Sequence, residues 1–223
     1  MCGRIALFSP PDRLSGLFGV SMGIGFKRRY NVAPQTEIET VALDPASRSR
    51  TVLRLRWGLV PSWAKDETIG KELVNARAET AATKPAFRHA IAHNRMLVPA
   101  DGYYDWQPSG RLKQPWFIRM NDESPFAIAG MHETWERDGR SLATGVVLTT
   151  SANKLVEHIN GRMPVIIARE DWDAWLDPEN KDFEGLLRPY PAELMETYRV
   201  GRWVNNPNYD SDRCIQALTD EPA

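Results

Sequence analysis

Cys2 carries the most distinctive chemistry in the chain, because it directly follows Met1. Its side chain is small, so loss of Met1 is expected to leave a terminus with an α-amine and a thiol on adjacent carbons. Reference pKa values of about 7.7–8.0 for such an amine and about 8.5 for such a thiol leave both partly reactive near neutral pH. This pair captures aldehydes. The amine forms an imine, and the thiolate then closes a five-membered thiazolidine. A terminal amine beside a side-chain nucleophile also resembles the activated termini of N-terminal-nucleophile hydrolases. The plain alternative is an ordinary cysteine near a frayed terminus.

Two further stretches concentrate reactive side chains. In Asp101-Gly102-Tyr103-Tyr104-Asp105-Trp106 the Asp105 carboxylate is embedded among bulky aromatics. Exclusion of water there would suit it to proton transfer near neutral pH. In Val74-Asn75-Ala76-Arg77-Ala78-Glu79-Thr80 an amide, a guanidinium and a carboxylate alternate among small residues. If that stretch is extended, Asn75, Arg77 and Glu79 share one face; a solvated turn is the alternative. Trp63, in Val60-Pro61-Ser62-Trp63, is a candidate exposed aromatic. The run Lys27-Arg28-Arg29 reads either as a solvated face or as part of a phosphate-facing surface.

The elements that must position these residues follow from periodicity and turn chemistry. Residues 4–8, 37–43, 51–57, 95–99, 115–120, 125–131, 146–150 and 165–168 read as strands. The 115–120 and 125–131 segments are expected to be antiparallel, and 146–150 to be central. Ser9-Pro10-Pro11-Asp12 reads as a helix start, with Leu14, Leu17 and Phe18 on one face. Residues 84–93, 170–176 and 182–196 read as helices, and Ser151-Ala152-Asn153 as the cap of a short helix through His158. Pro108-Ser109-Gly110 is a hairpin turn, and 199–219 is a polar, loop-like tail. The expected fold is α+β: a single domain spanning 1–223, with a curled, mostly antiparallel, barrel-like sheet and peripheral helices.

Composition bounds the function. A chain of 223 residues with 42% hydrophobic and 26% charged residues suits a globular protein with one well-filled core. No apolar run reaches the length of a membrane span, and the first residues do not resemble a secretory signal. Two cysteines, Cys2 and Cys214, argue against a disulfide framework and for an intracellular, reducing setting, cytoplasmic or nucleoid-associated in a prokaryote. The net charge of −1 argues against broad attraction to polyanions, though not against a local groove. Eight tryptophans are more than such a core needs, so some are candidate stacking platforms. No phosphate loop, dinucleotide fingerprint or zinc-ligand cluster occurs, and no cofactor or metal is expected.

These pieces together resemble the SRAP (SOS response-associated peptidase) family. The matching segments are Met1-Cys2-Gly3-Arg4, Tyr30-Asn31-Val32-Ala33-Pro34, Arg56-Trp57-Gly58-Leu59-Val60-Pro61-Ser62-Trp63, Asn75-Ala76-Arg77-Ala78-Glu79-Thr80, Asp101-Gly102-Tyr103-Tyr104-Asp105-Trp106, Lys113-Gln114-Pro115, Thr149-Thr150 and Arg162-Met163-Pro164. They run in family order along nearly the whole chain. The resemblance implies a protein that recognises abasic sites in single-stranded DNA and joins them through a thiazolidine at the exposed terminal cysteine. On that template Cys2 is the nucleophile, and Asn75 positions the sugar and the amine. Arg4 and Arg77 contact phosphates, Trp106 and Trp63 stack on bases, and Arg162 lines the groove. The family's "peptidase" activity would be removal of Met1.

Two positions depart from the family pattern. Asp105 stands where the family usually has a glutamate assigned to proton transfers on the amine and the imine, one methylene shorter. Asn160, in Ile159-Asn160-Gly161-Arg162-Met163-Pro164, stands where the family has a histidine that helps open the sugar ring and reverse the crosslink. Asparagine can hydrogen-bond but cannot shuttle a proton near pH 7. His158, two residues earlier, is a candidate substitute. Two other functions therefore stay open: a non-covalent single-stranded DNA-binding module, and a cysteine peptidase, which lacks an evident histidine partner. A monomer is expected.

Overall fold

The structure is a computed structural model that describes residues 3–23, 25–110 and 112–218. Met1 and Cys2 lie outside the described residues, as does any structural statement about the reading of that terminus. The chain opens with strand β1 (Arg4–Leu7) and helix α1 (Pro11–Phe18). Proline at the first helical position fits the fixed φ that a helix start requires. Leu14 and Phe18, one helical turn apart, are buried. Strands β2 (Arg29–Val32), β3 (Glu37–Leu43), β4 (Arg50–Trp57) and β5 (Asn75–Arg77) follow, then helices α2 (Ala78–Ala81) and α3 (Arg88–His93). The long run of sheet is β6 (Arg95–Ala100), β7 (Gly102–Ser109), β8 (Leu112–Met120), β9 (Phe126–Arg137) and β10 (Arg140–Ser151). The chain ends with β11 (Arg162–Pro164), β12 (Ile166–Ile167), α4 (Trp172–Leu176), β13 (Met195–Arg199) and two short 3-10 turns, Arg202–Asn205 and Asp212–Ile215.

Two sheets result. In the larger, β10, β4, β3, β6 and β9 pair in sequence, and β9 returns to pair with β10, closing a barrel. β10 runs parallel to β4 and β5, and the other pairings described are antiparallel, so the barrel is mixed. The smaller sheet has the order β13-β8-β7-β1-β2. Period-two alternation gives the barrel strands two apolar faces. Val41, Leu97, Ala129, Val146 and Leu148 pack in a core shared with Leu14, Phe18, Ile91 and Trp172 of the helices. Ala42, Met96, Val98, Ile128 and Val147 pack with Ile5, Tyr103 and Ile118 of the smaller sheet. This second core fixes the two sheets against each other.

Buried polar groups lock the corners. Asp101, between β6 and β7, accepts hydrogen bonds from the Phe8 and Ser9 N–H groups and the Ser9 hydroxyl, tying the end of β1 to the start of β7. Gly102 follows because there is no room for a side chain: a Cβ there would lie 2.2 Å from the Phe117 ring. Arg95 is buried and donates to the carbonyls of Ile91, Trp175, Asp177 and Asn180, clamping the loop after α4 onto the barrel.

Four sequence expectations are corrected. Glu79 does not extend the face of Asn75 and Arg77, because β5 stops at Arg77 and Glu79 enters α2. The 115–120 and 125–131 strands exist but do not pair; β8 pairs with β7 and β13, and β9 belongs to the barrel. Residues 154–159 form hydrogen-bonded turns rather than a helix, with the Asn153 side chain accepting from the Leu155 and Val156 N–H groups. The 182–196 helix is replaced by two short 3-10 turns and the start of β13.

A pH dependence follows from β9. His132 lies partly buried opposite Gly145, and desolvation pushes its imidazole down to about 4 from an ordinary 6.5. Below pH 6.5 the unfolded chain therefore binds a proton that the folded chain refuses, and stability falls as pH drops toward 4. The expected loss between pH 7 and 4 from this group is about 3 kcal/mol. Urea melts at both pH values should show a smaller difference for His132→Gln than for wild type; equal differences would exclude this group as the cause.

Candidate functional site

The polar residues singled out in the sequence are brought together where the two sheets meet. Asn75 and Arg77 lie on β5 in parallel register with β10, Asn75 beside Val147 and Arg77 beside Thr149. The segment entering β5 is held by Trp57, a fully buried residue whose indole N–H donates to the Val74 carbonyl at 2.8 Å. The turn after Trp57 requires glycine: Gly58 has φ of 135°, and a Cβ there would lie 2.4 Å from the Gly70 carbonyl oxygen. Asn75 Oδ1 is buried and accepts no hydrogen bond among the described residues. A buried acceptor without a donor costs about 1–3 kcal/mol, so this oxygen is poised to receive an incoming N–H or O–H.

A continuous line of contacts runs from β5 to the other sheet. Arg162 Nε donates to Thr149 Oγ1 at 3.3 Å, beside Arg77. The Arg162 backbone N–H donates to Asn160 Oδ1 at 3.2 Å. The Asn160 amide then donates through Nδ2 to Asp105 Oδ1 at 3.0 Å. Asp105 sits on β7, is buried, and takes a second hydrogen bond at Oδ1 from the Trp106 N–H at 2.8 Å. Because Asn160 accepts on one side and donates on the other, the orientation of its amide is fixed by the network. Asp105 and Asn160 are 55 residues apart in sequence, and no local spacing announces their contact.

The arginines differ in how they are engaged. Arg77 is exposed. Arg162 makes a two-pronged ion pair with Glu79, at 3.0 and 2.9 Å, which holds the Glu79 carboxyl below its usual pKa. Arg4 is more deeply placed: it donates to Asn31 Oδ1 at 2.7 Å and to the Val204 carbonyl at 2.5 Å, and burial pushes its guanidinium pKa down. Its guanidinium carbon lies 6.0 Å from the centre of the Trp106 ring. Trp106 donates from Nε1 to Asn205 Oδ1 at 2.7 Å. Asn31 is fully buried and donates to the carbonyls of Asn206 and Tyr209 at 3.0 and 2.8 Å. Trp63, 60% exposed, stands on a separate loop. His158 packs its ring edge-on to Trp116 at 5.3 Å, and Trp116 neighbours Asp105 across β7 and β8.

The sequence reading missed the contribution of residues 203–210, which wrap Arg4, Asn31 and Trp106. Their polarity suggested a solvated tail. The three asparagines and the proline of this stretch signal turns, but not which backbone carbonyls those turns aim at a partner.

If phosphate is to reach Arg162, it must displace Glu79. Glu79→Gln should therefore tighten binding of undamaged single-stranded DNA about two- to fivefold at low salt, the range of one exposed ion pair. Fluorescence anisotropy across a salt series checks this; unchanged affinity would mean that Arg162 serves only the protein.

The arrangement defines a class: a closed mixed barrel with a flanking antiparallel sheet, carrying at their junction an open acceptor, a buried carboxylate and a set of guanidinium groups suited to an anionic ligand. Residues 1–207 match the family described as SOS response associated peptidase (SRAP), and the chain belongs to that family. Among its relatives, the Bacillus subtilis abasic site processing protein YoqW is 40% identical over 97% of this chain and 100% of its own length. The Escherichia coli abasic site processing protein YedK is 32% identical over 85% of each chain. A Bacteroides thetaiotaomicron protein of solved crystal structure is 27% identical and superposes with a TM-score of 0.88, covering 98% of this chain and all of that one. Among the described residues, no helix is long and apolar enough to cross a membrane.

Proposed function

We propose that this chain processes abasic sites in single-stranded DNA, joining itself to them through Cys2 as a thiazolidine. The observation that carries the reading is the Asp105–Asn160 pair, linked through Arg162 and Thr149 to the β5 strand that holds the Asn75 oxygen, which has no donor among the described residues. β1 and β7 pair Arg4 with Tyr104 and Ile5 with Tyr103, so one more residue of that register would bring Gly3 level with Asp105. Cys2 precedes Gly3 in the chain. The amine of Cys2, freed by loss of Met1, attacks the aldehyde carbon of the ring-opened sugar, with Asn75 accepting an amine hydrogen. Asp105 takes a proton from the amine and returns one to the departing hydroxyl, which leaves as water. The thiolate adds to the imine carbon, and the ring nitrogen takes up a proton. Arg77, Arg162 and Arg4 lie along the proposed path of the backbone, with Trp106 and Trp63 as stacking surfaces for bases. Every group named lies in one chain, so a monomer suffices.

The decisive experiment is intact-mass measurement after incubation with a strand carrying one abasic site. The expected product is the protein without Met1, plus the strand, less one water. Retention of Met1 with no added mass would remove the chemistry. A second reading, a binding module without the crosslink, is favoured by Asn160, which offers no titrating group. Equal retention of abasic and undamaged strands with no adduct would establish that one.

Asn160 also yields a prediction. Ring opening of the sugar needs a proton moved to and from its ring oxygen. Asn160→His, placed against Asp105, should accelerate adduct formation about tenfold or more. An unchanged single-turnover rate would mean that ring opening is not limiting, or that His158 already performs it.

A further inference from the structure

Trp203 is 53% exposed, a large apolar surface left in solvent by a chain that buries Trp57 and Trp175 completely. It is held rigidly. Its ring lies on Tyr209, with centroids 5.6 Å apart and planes 30° from parallel. Beneath it is Gly201, where a Cβ would stand 2.8 Å from Trp203 Cδ1. Tyr209 is fixed in turn, its carbonyl accepting from Asn31 at 2.8 Å and its hydroxyl from Ser211 at 3.2 Å. The platform adjoins the site through the two residues that follow Trp203. The Val204 carbonyl binds Arg4, and the Asn205 side chain binds the Trp106 indole. Arg202, on the preceding position of the same 3-10 turn, is exposed.

We infer that Trp203 is a further base-stacking platform, which takes an unpaired nucleobase of the strand that leaves the Asp105 site past Trp106. The inference rests on the proposed single-stranded DNA reading and extends it to a residue outside the reactive centre. An indole fixed before the ligand arrives loses little rotamer freedom on stacking. Stacking accepts any base, because every base has a π-face. The local charge is balanced, Arg202 and Arg213 against Asp210 and Asp212, so contact area rather than attraction to phosphate carries the interaction. Continuity with Trp106 and Arg4 identifies the occupant as the same strand.

The test measures affinity for single-stranded oligonucleotides with a central abasic-site analogue, shortened one nucleotide at a time from each end. Trp203→Ala should weaken binding of the full-length strand about 5- to 100-fold, the range for loss of one base–aromatic stack. Trp203→Phe should restore most of that loss. Gly201→Ala, which displaces the indole while keeping it in the chain, should give an intermediate loss. In wild type, shortening from one end should produce a step in affinity that Trp203→Ala lacks. Affinity of Trp203→Ala within about twofold of wild type would overturn the platform, as would an equal loss on strands of every length, which marks a structural effect. Failure of wild type to bind any strand would overturn the DNA reading itself, a different result from either.

Discussion

Cys2→Ala should abolish the denaturation-resistant adduct with abasic single-stranded DNA. The variant keeps an α-amine, so imine formation survives. What it loses is the sulfur that closes the ring, and an unclosed imine hydrolyses once the complex is unfolded. Addition of borohydride before denaturation should therefore recover a crosslink in Cys2→Ala, while without reductant none should remain. This divides the two reactive groups: the amine makes the first bond and the thiol makes it last. Non-covalent affinity should be unchanged, since the proposed phosphate and base contacts belong to Arg77, Arg162, Trp106 and Trp63. The wild-type rate should rise between about pH 6.5 and 8, as more of a terminal amine with a reference pKa of about 7.7–8.0 is deprotonated. A stable adduct in Cys2→Ala without reductant would falsify the thiazolidine and point to a lysine or another nucleophile.

How much of this could be read before the fold was known depends on where each interaction is encoded. Strands β3 and β4 were legible because alternation of apolar and polar residues is a local property. Helix α1 was legible because Pro11, Leu14 and Phe18 combine a start signal with helical spacing. β13 was not, because Glu193-Leu194-Met195-Glu196 is a good local helix former. Its pairing with β8, Met195 opposite Met120 through Arg199 opposite Trp116, overrides that preference. Glu79 was read onto the face of Asn75 because the 74–80 pattern alternates, but α2 begins at Ala78 and swings the carboxylate to Arg162.

The candidate site divides in the same way. Asp105, Asn75 and Arg162 were visible as residue types in unusual company. The Asp105–Asn160 hydrogen bond was not, because it joins segments that only the closure of two sheets brings together. The segment after Val200 was hardest of all. It contributes mainly backbone carbonyls, from Val204, Asn206 and Tyr209, to Arg4 and Asn31. Every residue has a carbonyl, so its use leaves no mark on the sequence. Asn31 illustrates the converse: it is fully buried, and its amide nitrogen is saturated by that segment, yet nothing local in Tyr30-Asn31-Val32-Ala33-Pro34 announces those partners.

Asp105→Asn should slow adduct formation about 10²- to 10⁴-fold, the range for loss of a positioned acid–base group. The change is nearly isosteric. An amide oxygen at the same place can still accept from the Trp106 N–H and from Asn160 Nδ2, so stability and non-covalent binding should hold near wild type. What disappears is a group able to take a proton from the amine and hand one to the departing hydroxyl. Asp105→Glu is the informative companion. Its carboxylate is retained on an arm one methylene longer, so the rate reports alignment alone. If Asp105 acts directly on the reacting atoms, Asp105→Glu should retain far more activity than Asp105→Asn in single-turnover assays. If Asp105 only holds Asn160 in place, the asparagine keeps that acceptor and Asp105→Asn should react within about tenfold of wild type. The longer glutamate, which disturbs the Asn160 contact, should then be the slower of the two, so the order of the two variants separates a proton-transfer group from a structural anchor.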